Sequence, residues 1–555
     1  MLDLSKNSSL PHGYYPRPQL VRDSYLSLNG EWDFDFSEDF SGEYGYKITV
    51  PFCPESEASG LGVKVLGKPL SYRKFFTLPE GFNKGRVILH FGAVDQICRV
   101  YVNEKRVGSN EGGYIPFSFD ITDALSEGEN ELLVQVYDDL DHRLPWGKQR
   151  EDRGGMWYTP VSGIWQSVWI ESVPERYITS IRITPRADRV ELVVFGGEKH
   201  KIVRLSSGEV YEFDGDRTEI VPNEIHPWSP EEPYLYEFIL MSGDDEVKSY
   251  FAIRTVEVME VDGVNRICLN GKPYLFNGLL DQGYFPEGIY TPATVDAYIK
   301  DIKTAKYLGF NMLRKHIKIE PLVFYYLCDR LGMAVFQDMV NNGDYSFFRD
   351  TALPTVGIQR LSDKKLHKDK DERRIFLETM RATCELLYNS PSVVYYTIFN
   401  EGWGQFSADE AYGALKMQDG TRIIDATSGW FRQKESDVDS RHIYFKKLKV
   451  KRPDGKPLVI SEYGGYSYRV PNHVFGEKNY GYKTFNSAKE FEDAVVRLFE
   501  NEVAPLVRSG VSAFVYTQIS DVEDETNGLV TYDRKCVKLD IERTNAVMKK
   551  LYKKI

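Results

Sequence analysis

The chain has 555 residues, and its 82 acidic side chains outnumber its 70 Lys and Arg side chains, giving a net charge of −12. This balance argues against a nucleic-acid-binding protein and against docking on an anionic membrane, because both depend on clustered basic side chains. With 42% hydrophobic and 27% charged residues, the composition is that of a globular protein, and the length predicts three or four domains.

The first residues contain no apolar run typical of a signal peptide, and no stretch of about 18 apolar residues predicts a membrane span. The cysteines are scattered, without the Cys-x-x-Cys spacing of a zinc or redox site: Cys53, Cys98, Cys268, Cys328, Cys384 and Cys536. We therefore expect free thiols in a reducing cytoplasm. A mature form from which a leader was removed is the alternative.

Residues 1–173 alternate short apolar runs with turn residues, as in GEWDFDF, GRVILHFGAV and NELLVQVYD. Such a succession of short strands predicts a jelly-roll β-sandwich. The segment VNEKRVG predicts a hairpin with Asn103 and Glu104 near its turn. Residues 174–257 continue the β pattern with YITSIRITP, RVELVVFG and YLYEFILMSG. Their number and punctuation predict a small immunoglobulin-like β-sandwich.

Residues 258–555 have a different pattern, in which helical periods alternate with short apolar strands. The first helix is indicated by apolar residues every three or four positions from Val295 to Leu308. The strands include FNML, MAVFQ, SVVYYTIF, PLVISEY and SAFVYTQI, and a helix is predicted over FEDAVVRLFENEVAPLVRSG. Repeated βα units over about 300 residues predict a (β/α)8 TIM barrel, and a multidomain β and α/β chain overall.

Two predicted barrel strands end at a glutamate followed by glycine. SVVYYTIF continues into Asn400 and Glu401, and PLVIS continues into Glu462. Barrel enzymes carry their catalytic residues at the carboxyl ends of their strands, and hydrolysis of a glycoside with retention needs two carboxyl groups about 5–5.5 Å apart. The alternative is that each glutamate caps the following helix or pairs with an arginine. Two such glutamates in one barrel favour catalysis.

Together with these motifs, the sequence resembles glycoside hydrolase family 2 over nearly its whole length. The similar segments are LSLNGEWDFDF, FGAVDQICRVYVNEKRVG, VSGIWQSVWIE, SVVYYTIFNEGWG and ISEYGG. The resemblance implies that Glu401 is the general acid/base, at the end of strand 4, and that Glu462 is the nucleophile, at the end of strand 7. It also implies that Asn400 binds the 2-hydroxyl of the sugar.

The segment NMLRKHIKIEP partly matches the family's strand 2. Strand alternation predicts Arg314, His316 and Lys318 on one face, with Lys315 pointing away. Arg314 is then expected to support the carboxylate of Glu462 by charge pairing. His316 is a candidate sugar contact or a buried structural histidine, and Lys318 is expected to be a solvated lysine at the rim.

Further polar residues near the strand ends are candidate sugar contacts. Asp281 and Gln282 stand where the family usually has a His-Glu pair, and a turn-stabilising role is the alternative for Asp281. Asp338 ends strand 3 and is expected to line the same pocket. Between the two glutamates lie His442 and Tyr444, and the resemblance implies that Tyr444 donates to the nucleophile.

Aromatic residues are also candidates, because aromatic faces stack on the C–H faces of sugars. Those selected are Trp403, Tyr444, Tyr463 and Tyr516. The family often places a Trp after strand 8 as the floor of the sugar site, and Tyr516 is expected to replace it here.

The last loop, DVEDETNGLVTYDRK, resembles that of the family's galactosidase-type members. The Asn-x-Lys pair of many β-glucuronidases is missing, because Leu529 stands two places after Asn527. That difference weighs against a uronic acid substrate. Lys315, Lys318 or Arg469 is the remaining candidate partner for a uronate carboxylate.

The sequence thus predicts a retaining, exo-acting β-glycosidase whose partner is a carbohydrate, with galactose favoured as the terminal sugar. The alternatives are a β-hexuronidase for galacturonate or glucuronate, then a mannosidase, because FQD resembles the mannosidase version of that strand. A carbohydrate-binding protein that has lost catalysis is disfavoured, since both glutamates are present. No organic cofactor or metal site is expected, and family relatives suggest a homo-oligomer.

Overall fold

The amino-terminal part of the chain forms a β-sandwich because apolar residues alternate along its short strands. The computed structural model describes residues 2–5, 9–38, 42–359, 361–450 and 455–553. The strands of the sandwich are β1 Tyr25–Ser27, β2 Gly30–Asp35, β3 Tyr46–Val50, β4 Pro69–Thr77, β5 Arg86–Phe91, β6 Val94–Asp95, β7 Ile97–Val102, β8 Lys105–Glu111, β9 Phe117–Asp120, β10 Glu129–Tyr137, β11 Gly163–Ile164 and β12 Val168–Val173.

Two sheets of this sandwich pack face to face, with strand orders β1-β12-β5-β9 and β3-β2-β4-β10-β7-β8, and β6 pairs with β11. Their inner faces bury Trp32, Phe34 and Tyr72. Short 3-10 helices occupy Glu57–Ser59 and Thr122–Ala124. The predicted hairpin is confirmed between β7 and β8. Its turn residues have φ of 48° and 64°, the left-handed geometry that a tight hairpin turn requires.

A second, smaller sandwich follows and has its own buried core. Its strands are β13 Ile178–Pro185, β14 Val190–Gly196, β15 His200–Leu205, β16 Val210–Asp214, β17 Arg217–Ile220, β18 Tyr236–Ser242 and β19 Asp245–Phe251. The sheet orders are β13-β14-β17 and β16-β15-β18-β19. A three-stranded sheet comes next, formed by β20 Val256–Val261, β21 Val264–Leu269 and β22 Lys272–Pro273. It contributes Val256, Ile267 and Leu269 to the cluster that fills the barrel interior.

The carboxyl-terminal part forms an eight-stranded parallel barrel, as predicted. Its strands are β23 Phe276–Asp281, β24 Met312–Lys315, β25 Ala334–Asp338, β26 Val393–Asn400, β27 Ile423–Ser428, β28 Asp439–Ile443, β29 Leu458–Gly464 and β32 Val511–Thr517. Their order is β27-β26-β25-β24-β23-β32-β29-β28, and the edge strands β27 and β28 contact each other. A short pair, β30 Tyr466–Ser467 and β31 Lys483–Thr484, lies outside the barrel sheet.

Helices surround the barrel and cover the outer faces of its strands. They are α1 Asp296–Tyr307, α2 Leu322–Leu331, α3 Leu353–Thr355, α4 Lys370–Leu387, α5 Ala408–Gln418, α6 Ala488–Leu498, α7 Ala504–Arg508 and α8 Ile541–Tyr552. The single helix predicted over residues 491–510 is divided into α6, a π-helical segment at Phe499–Val503, and α7. Pro505 lies in the first turn of α7, and proline cannot donate the backbone hydrogen bond that a continuous α-helix needs. A second π-helical segment covers Phe347–Ala352.

The sequence predicted free thiols and no membrane-spanning segment. All six cysteines are free, and five of them are buried. Within the described ranges, no helix has the length and apolar character needed to cross a membrane.

Candidate active site

The two predicted catalytic glutamates meet at the carboxyl edge of the barrel. Glu401 follows β26 and Glu462 lies within β29, and parallel strands bring both to the same mouth. Glu401 has φ of 55°, a left-handed conformation that is uncommon outside glycine and is found at functional sites. One ligand atom each from Glu401, His442 and Glu462 lies within 4.8 Å of the others. Retaining glycosidases have carboxyl groups about this far apart, whereas inverting ones need about 6.5–9.5 Å.

Glu462 is held by two strong donors that the sequence analysis selected. Nη1 of Arg314 donates to its Oε1 at 3.1 Å, and the hydroxyl of Tyr444 donates to its Oε2 at 2.7 Å. Burial opposes ionisation of Glu462, but the charges of His442 and Arg314 and the Tyr444 hydrogen bond outweigh it, so the pKa of Glu462 lies below its usual range. The arrangement keeps this carboxylate ionised, as a nucleophile requires.

We expect Tyr444→Phe to weaken the support of Glu462. The lost hydrogen bond should raise the pKa of Glu462, so the acid limb of the kcat/KM profile should move to higher pH, with kcat/KM about 10-fold lower at neutral pH. A pH–rate series on an aryl β-glycoside measures both effects. Tyr412→Phe is the matched control, because the Tyr412 hydroxyl also donates to a carboxylate, Asp437, at 2.7 Å. An acid limb identical to wild type in the Tyr444 variant would contradict the assignment.

Glu401 has a different environment. Nδ1 of His442 lies 2.7 Å from its Oε1, and the other ring nitrogen of His442 lies 3.0 Å from Oγ of Ser428. The indole N–H of Trp430 donates to the backbone oxygen of Glu401 at 2.8 Å. The side chain of Glu401 is 19% exposed against 7% for Glu462. The more open glutamate is the one suited to exchange protons with a leaving group and with water.

Arg314 connects several of the predicted polar residues. Its Nε donates to Asp338 at 2.9 Å, and its Nη2 donates to Oδ1 of Asn400 at 2.8 Å. Nδ1 of His316 lies 2.7 Å from Oδ2 of the same aspartate. Asp338 is 1% exposed and both of its oxygens are engaged by Arg314 or His316, so its contacts in this structure orient those two side chains.

Asp281 agrees with the turn-stabilising alternative, because its Oδ1 accepts from the backbone N–H of Gly283 at 2.9 Å. Asp281 accepts from Nζ of Lys315 at 2.7 Å, on the outer side of the barrel sheet. Lys318 is not a rim lysine, because it is buried and donates to Glu320 at 3.0 Å, as Lys315 does at 2.8 Å. The reason is the φ of 52° at Ile317, which breaks the strand alternation on which the prediction rested.

Three of the aromatic residues predicted to contact sugar are buried in this structure: Trp403, Tyr463 and Tyr516. Tyr463 and Tyr516 are fully buried in the cluster that packs the barrel against its helices. Since Glu462 points into the mouth, the next residue along the strand must point outward. Trp403 is 2% exposed, and its indole N–H donates to the backbone oxygen of Gly343 at 3.1 Å. None of these rings forms an open sugar platform.

Some residues at the mouth were missed by the sequence analysis. Ser428 is the last residue of β27 and Trp430 follows that strand, so their position at a strand end was an available signal. Tyr482 stacks on Tyr444 with ring centres 4.0 Å apart. Tyr158 of the first sandwich donates through its hydroxyl to Glu525, in the loop after β32. No local pattern indicates such a contact between distant segments.

Comparisons with known proteins agree with this architecture. A β-galactosidase of Pseudoalteromonas haloplanktis is 25% identical over 83% of this chain and 47% of its own length. A β-glucuronidase structure from Bifidobacterium dentium has a TM-score of 0.76 at 18% identity, covering 96% of this chain and 98% of that one. A GH2 β-galacturonidase from Eisenbergiella tayi has a TM-score of 0.69 at 20% identity, covering 96% and 98%.

The chain spans about half the length of the curated relatives it matches. In a second such relative, a β-galactosidase of Thermoanaerobacter pseudethanolicus, the match covers 54% of the relative's length. Two family models match. The sugar binding domain of glycosyl hydrolases family 2 matches residues 64–174, and the TIM barrel domain of the same family matches residues 259–538. On these matches, the chain belongs to glycosyl hydrolase family 2.

Proposed function

We propose that the protein is a retaining, exo-acting β-glycosidase that hydrolyses terminal β-linked sugars, with β-galactosides as the first candidate substrates. The observation that carries the proposal is the approach of Glu401 and Glu462 to within 4.8 Å, with His442 beside both. This spacing suits direct attack by one carboxylate while the other exchanges protons.

In the first step, a carboxylate oxygen of Glu462 attacks the anomeric carbon, and the bond from that carbon to the leaving oxygen breaks. Glu401 gives its proton to the leaving oxygen, so the aglycone departs as an alcohol. The sugar is then covalently joined to Glu462. Arg314 and Tyr444, at 3.1 and 2.7 Å from the Glu462 oxygens, hold the nucleophile in place.

In the second step, Glu401 takes a proton from water, and the water oxygen attacks the anomeric carbon. The bond to Glu462 breaks, and the sugar leaves with its original β configuration. The carbonyl of Asn400 accepts from Arg314, which fixes the side-chain amide, so its N–H₂ group is oriented to donate to the sugar 2-hydroxyl.

A neutral sugar is favoured over a uronate. The curated relatives compared above are named β-galactosidases. The three cations considered for a uronate carboxylate are engaged elsewhere. Lys315 and Lys318 share Glu320, and Arg469 donates to the backbone oxygens of Glu477 and Gly476.

A panel of nitrophenyl β-galactoside, β-galacturonide, β-glucuronide and β-mannoside tests the proposal. We expect the β-galactoside to have the highest kcat/KM, and NMR of the first product to show the β anomer. A metal ion bound by Glu401, His442 and Glu462 would occupy the two carboxylates that the proposed mechanism uses. We therefore expect that removing metal ions with EDTA leaves turnover unchanged. An α anomer as first product would contradict the retaining mechanism, and no turnover of any member would contradict the activity.

A further inference from the structure

Lys148, in the amino-terminal part of the chain, is a largely buried lysine whose ammonium has no protein hydrogen-bond or ion-pair partner among the described residues. It is 7% exposed, and its Nζ makes no hydrogen bond or ion pair to any residue that the structure describes. The other buried lysines are all satisfied. Lys201 donates to two backbone oxygens, and Lys538 donates to Asp521 and two backbone oxygens. The Nζ of Lys148 keeps contact with solvent, unlike the fully buried unpaired side-chain atoms of the structure, so a ligand can reach it.

The backbone around Lys148 is fixed against the barrel mouth. A side chain at Gly147 would lie 3.3 Å from the backbone oxygen of Ile317, so this segment lies against the residue that follows His316. The backbone oxygen of Lys148 accepts from the N–H of Tyr158 at 2.9 Å, and the Tyr158 hydroxyl reaches Glu525. Lys148 therefore lies at the part of the mouth bounded by strand β24 and the loop after β32.

The charge and the ring contact of Lys148 agree with this position. Its Nζ lies 5.5 Å from the centre of the Trp157 ring, and that ring is 5.3 Å from Trp403, two residues after Glu401. Lys148 interacts electrostatically with His316 on one side and with Glu525 on the other. The ammonium thus faces the same mouth as the catalytic glutamates.

Two buried amide oxygens at this part of the mouth also have no partner among the described residues. They belong to Gln282, which follows β23, and Gln518, which follows β32. Strand β23 lies between β24 and β32 in the barrel, so the two amides are at the ends of adjacent strands. The mouth thus offers an ammonium that donates and two oxygens that accept. A hydroxyl group can both donate and accept, so it can satisfy both kinds of partner, whereas a carboxylate can only accept and would leave the two amide oxygens unpaired.

We propose that Lys148 is a substrate-binding residue that donates a hydrogen bond to a hydroxyl of a neutral terminal sugar. The inference rests on the proposed glycosidase activity and names the class of sugar that the site takes. It makes the first sandwich a part of the active site, since it supplies a residue that selects the substrate.

The test compares Lys148→Met with Lys148→Arg and with Lys201→Met as the control for loss of a buried lysine. We expect Lys148→Met to lower kcat/KM for the β-galactoside about 10–100-fold, as for loss of a hydrogen bond to a charged group. Lys148→Arg should recover part of the loss. On 4-deoxy and 6-deoxy β-galactosides, the effect of Lys148→Met should disappear for the substrate that lacks the contacted hydroxyl. Lys201→Met should leave kcat/KM unchanged even where it lowers Tm.

Binding of free galactose, followed by tryptophan fluorescence, separates this proposal from the activity. We expect Lys148→Met to raise the Kd by the same factor as it lowers kcat/KM. If the wild type turns over substrate and the Lys148→Met variant has the same kcat/KM and Kd, the proposed role of Lys148 is overturned, but the glycosidase activity is not. A larger loss on the β-galacturonide than on the β-galactoside would overturn the assignment to a hydroxyl. Absence of turnover with intact galactose binding would overturn the glycosidase function instead.

Discussion

Replacing Glu462 with Gln is expected to lower kcat on an activated aryl β-glycoside by about 10⁴-fold or more, the largest effect of any single change. The amide has no carboxylate to attack the anomeric carbon, so the covalent intermediate cannot form. Gln has nearly the same shape, and its oxygen can still accept from the Tyr444 hydroxyl that lies 2.7 Å from Glu462. The fold should therefore persist, and steady-state kinetics with a thermal melt measure both properties.

The control for this variant is Glu500→Gln, at an exposed position of the π-helical segment that follows α6. A second variant, Glu462→Gly, opens space for azide beside the anomeric carbon. Azide should then restore turnover and give the α-glycosyl azide, because a single displacement inverts the configuration. Full activity in the Gln variant, or a β-glycosyl azide from the Gly variant, would rule out Glu462 as the nucleophile.

Replacing Glu401 with Gln is expected to affect the rates of the two chemical steps differently. With a good leaving group, glycosylation needs little help from an acid and should be nearly unchanged. Deglycosylation requires a base to activate water, and it should slow by about 10²–10⁴-fold. The outcome is a burst of nitrophenol followed by slow turnover, which stopped-flow absorbance measures.

The identity of the leaving group provides the internal control for the Glu401 variant. An alkyl β-glycoside, which needs a proton on its leaving oxygen, should show a large loss already in the first step. Azide should accelerate turnover of the aryl substrate and give the β-glycosyl azide, because it replaces water without a base. Wild-type rates on both substrates would exclude Glu401 as the acid/base, and His442 at 2.7 Å would be the group to examine next.

Much of the fold, and the meeting of Glu401 and Glu462 at the barrel mouth, could be predicted from the sequence. The barrel strands are buried on both faces, so they read as continuous apolar runs, and each of these two glutamates comes directly after one such run. Arg314 and Tyr444 were predicted to support Glu462, and both contacts are present. Strand alternation predicted the direction of Arg314, and the resemblance to glycoside hydrolase family 2 indicated Tyr444, which lies just after β28.

The site predictions failed where the backbone departs from a regular strand, or where alternation turns the side chain to the outer face of the barrel sheet. The left-handed Ile317 turns Lys318 toward Glu320, and Lys315 on the outer face attracts Asp281. Tyr463 follows the inward-pointing Glu462, so it packs outward. In each case the direction of the side chain was decided by the backbone and its neighbours, which the type of residue does not indicate.

The sequence alone determined the order of the two sandwiches and the barrel, and the pair of glutamates at strand ends, because these features follow from periodicity and from short-range spacing. Only the tertiary structure decided what surrounds them. Lys148 and Tyr158 reach the mouth because the first sandwich packs on the barrel, more than 100 residues away along the chain from His316 and Glu525. Lys148 is distinguished by its burial and by the absence of a protein acceptor for its ammonium. Both properties depend on residues that surround it from distant parts of the chain, so the local sequence does not predict them.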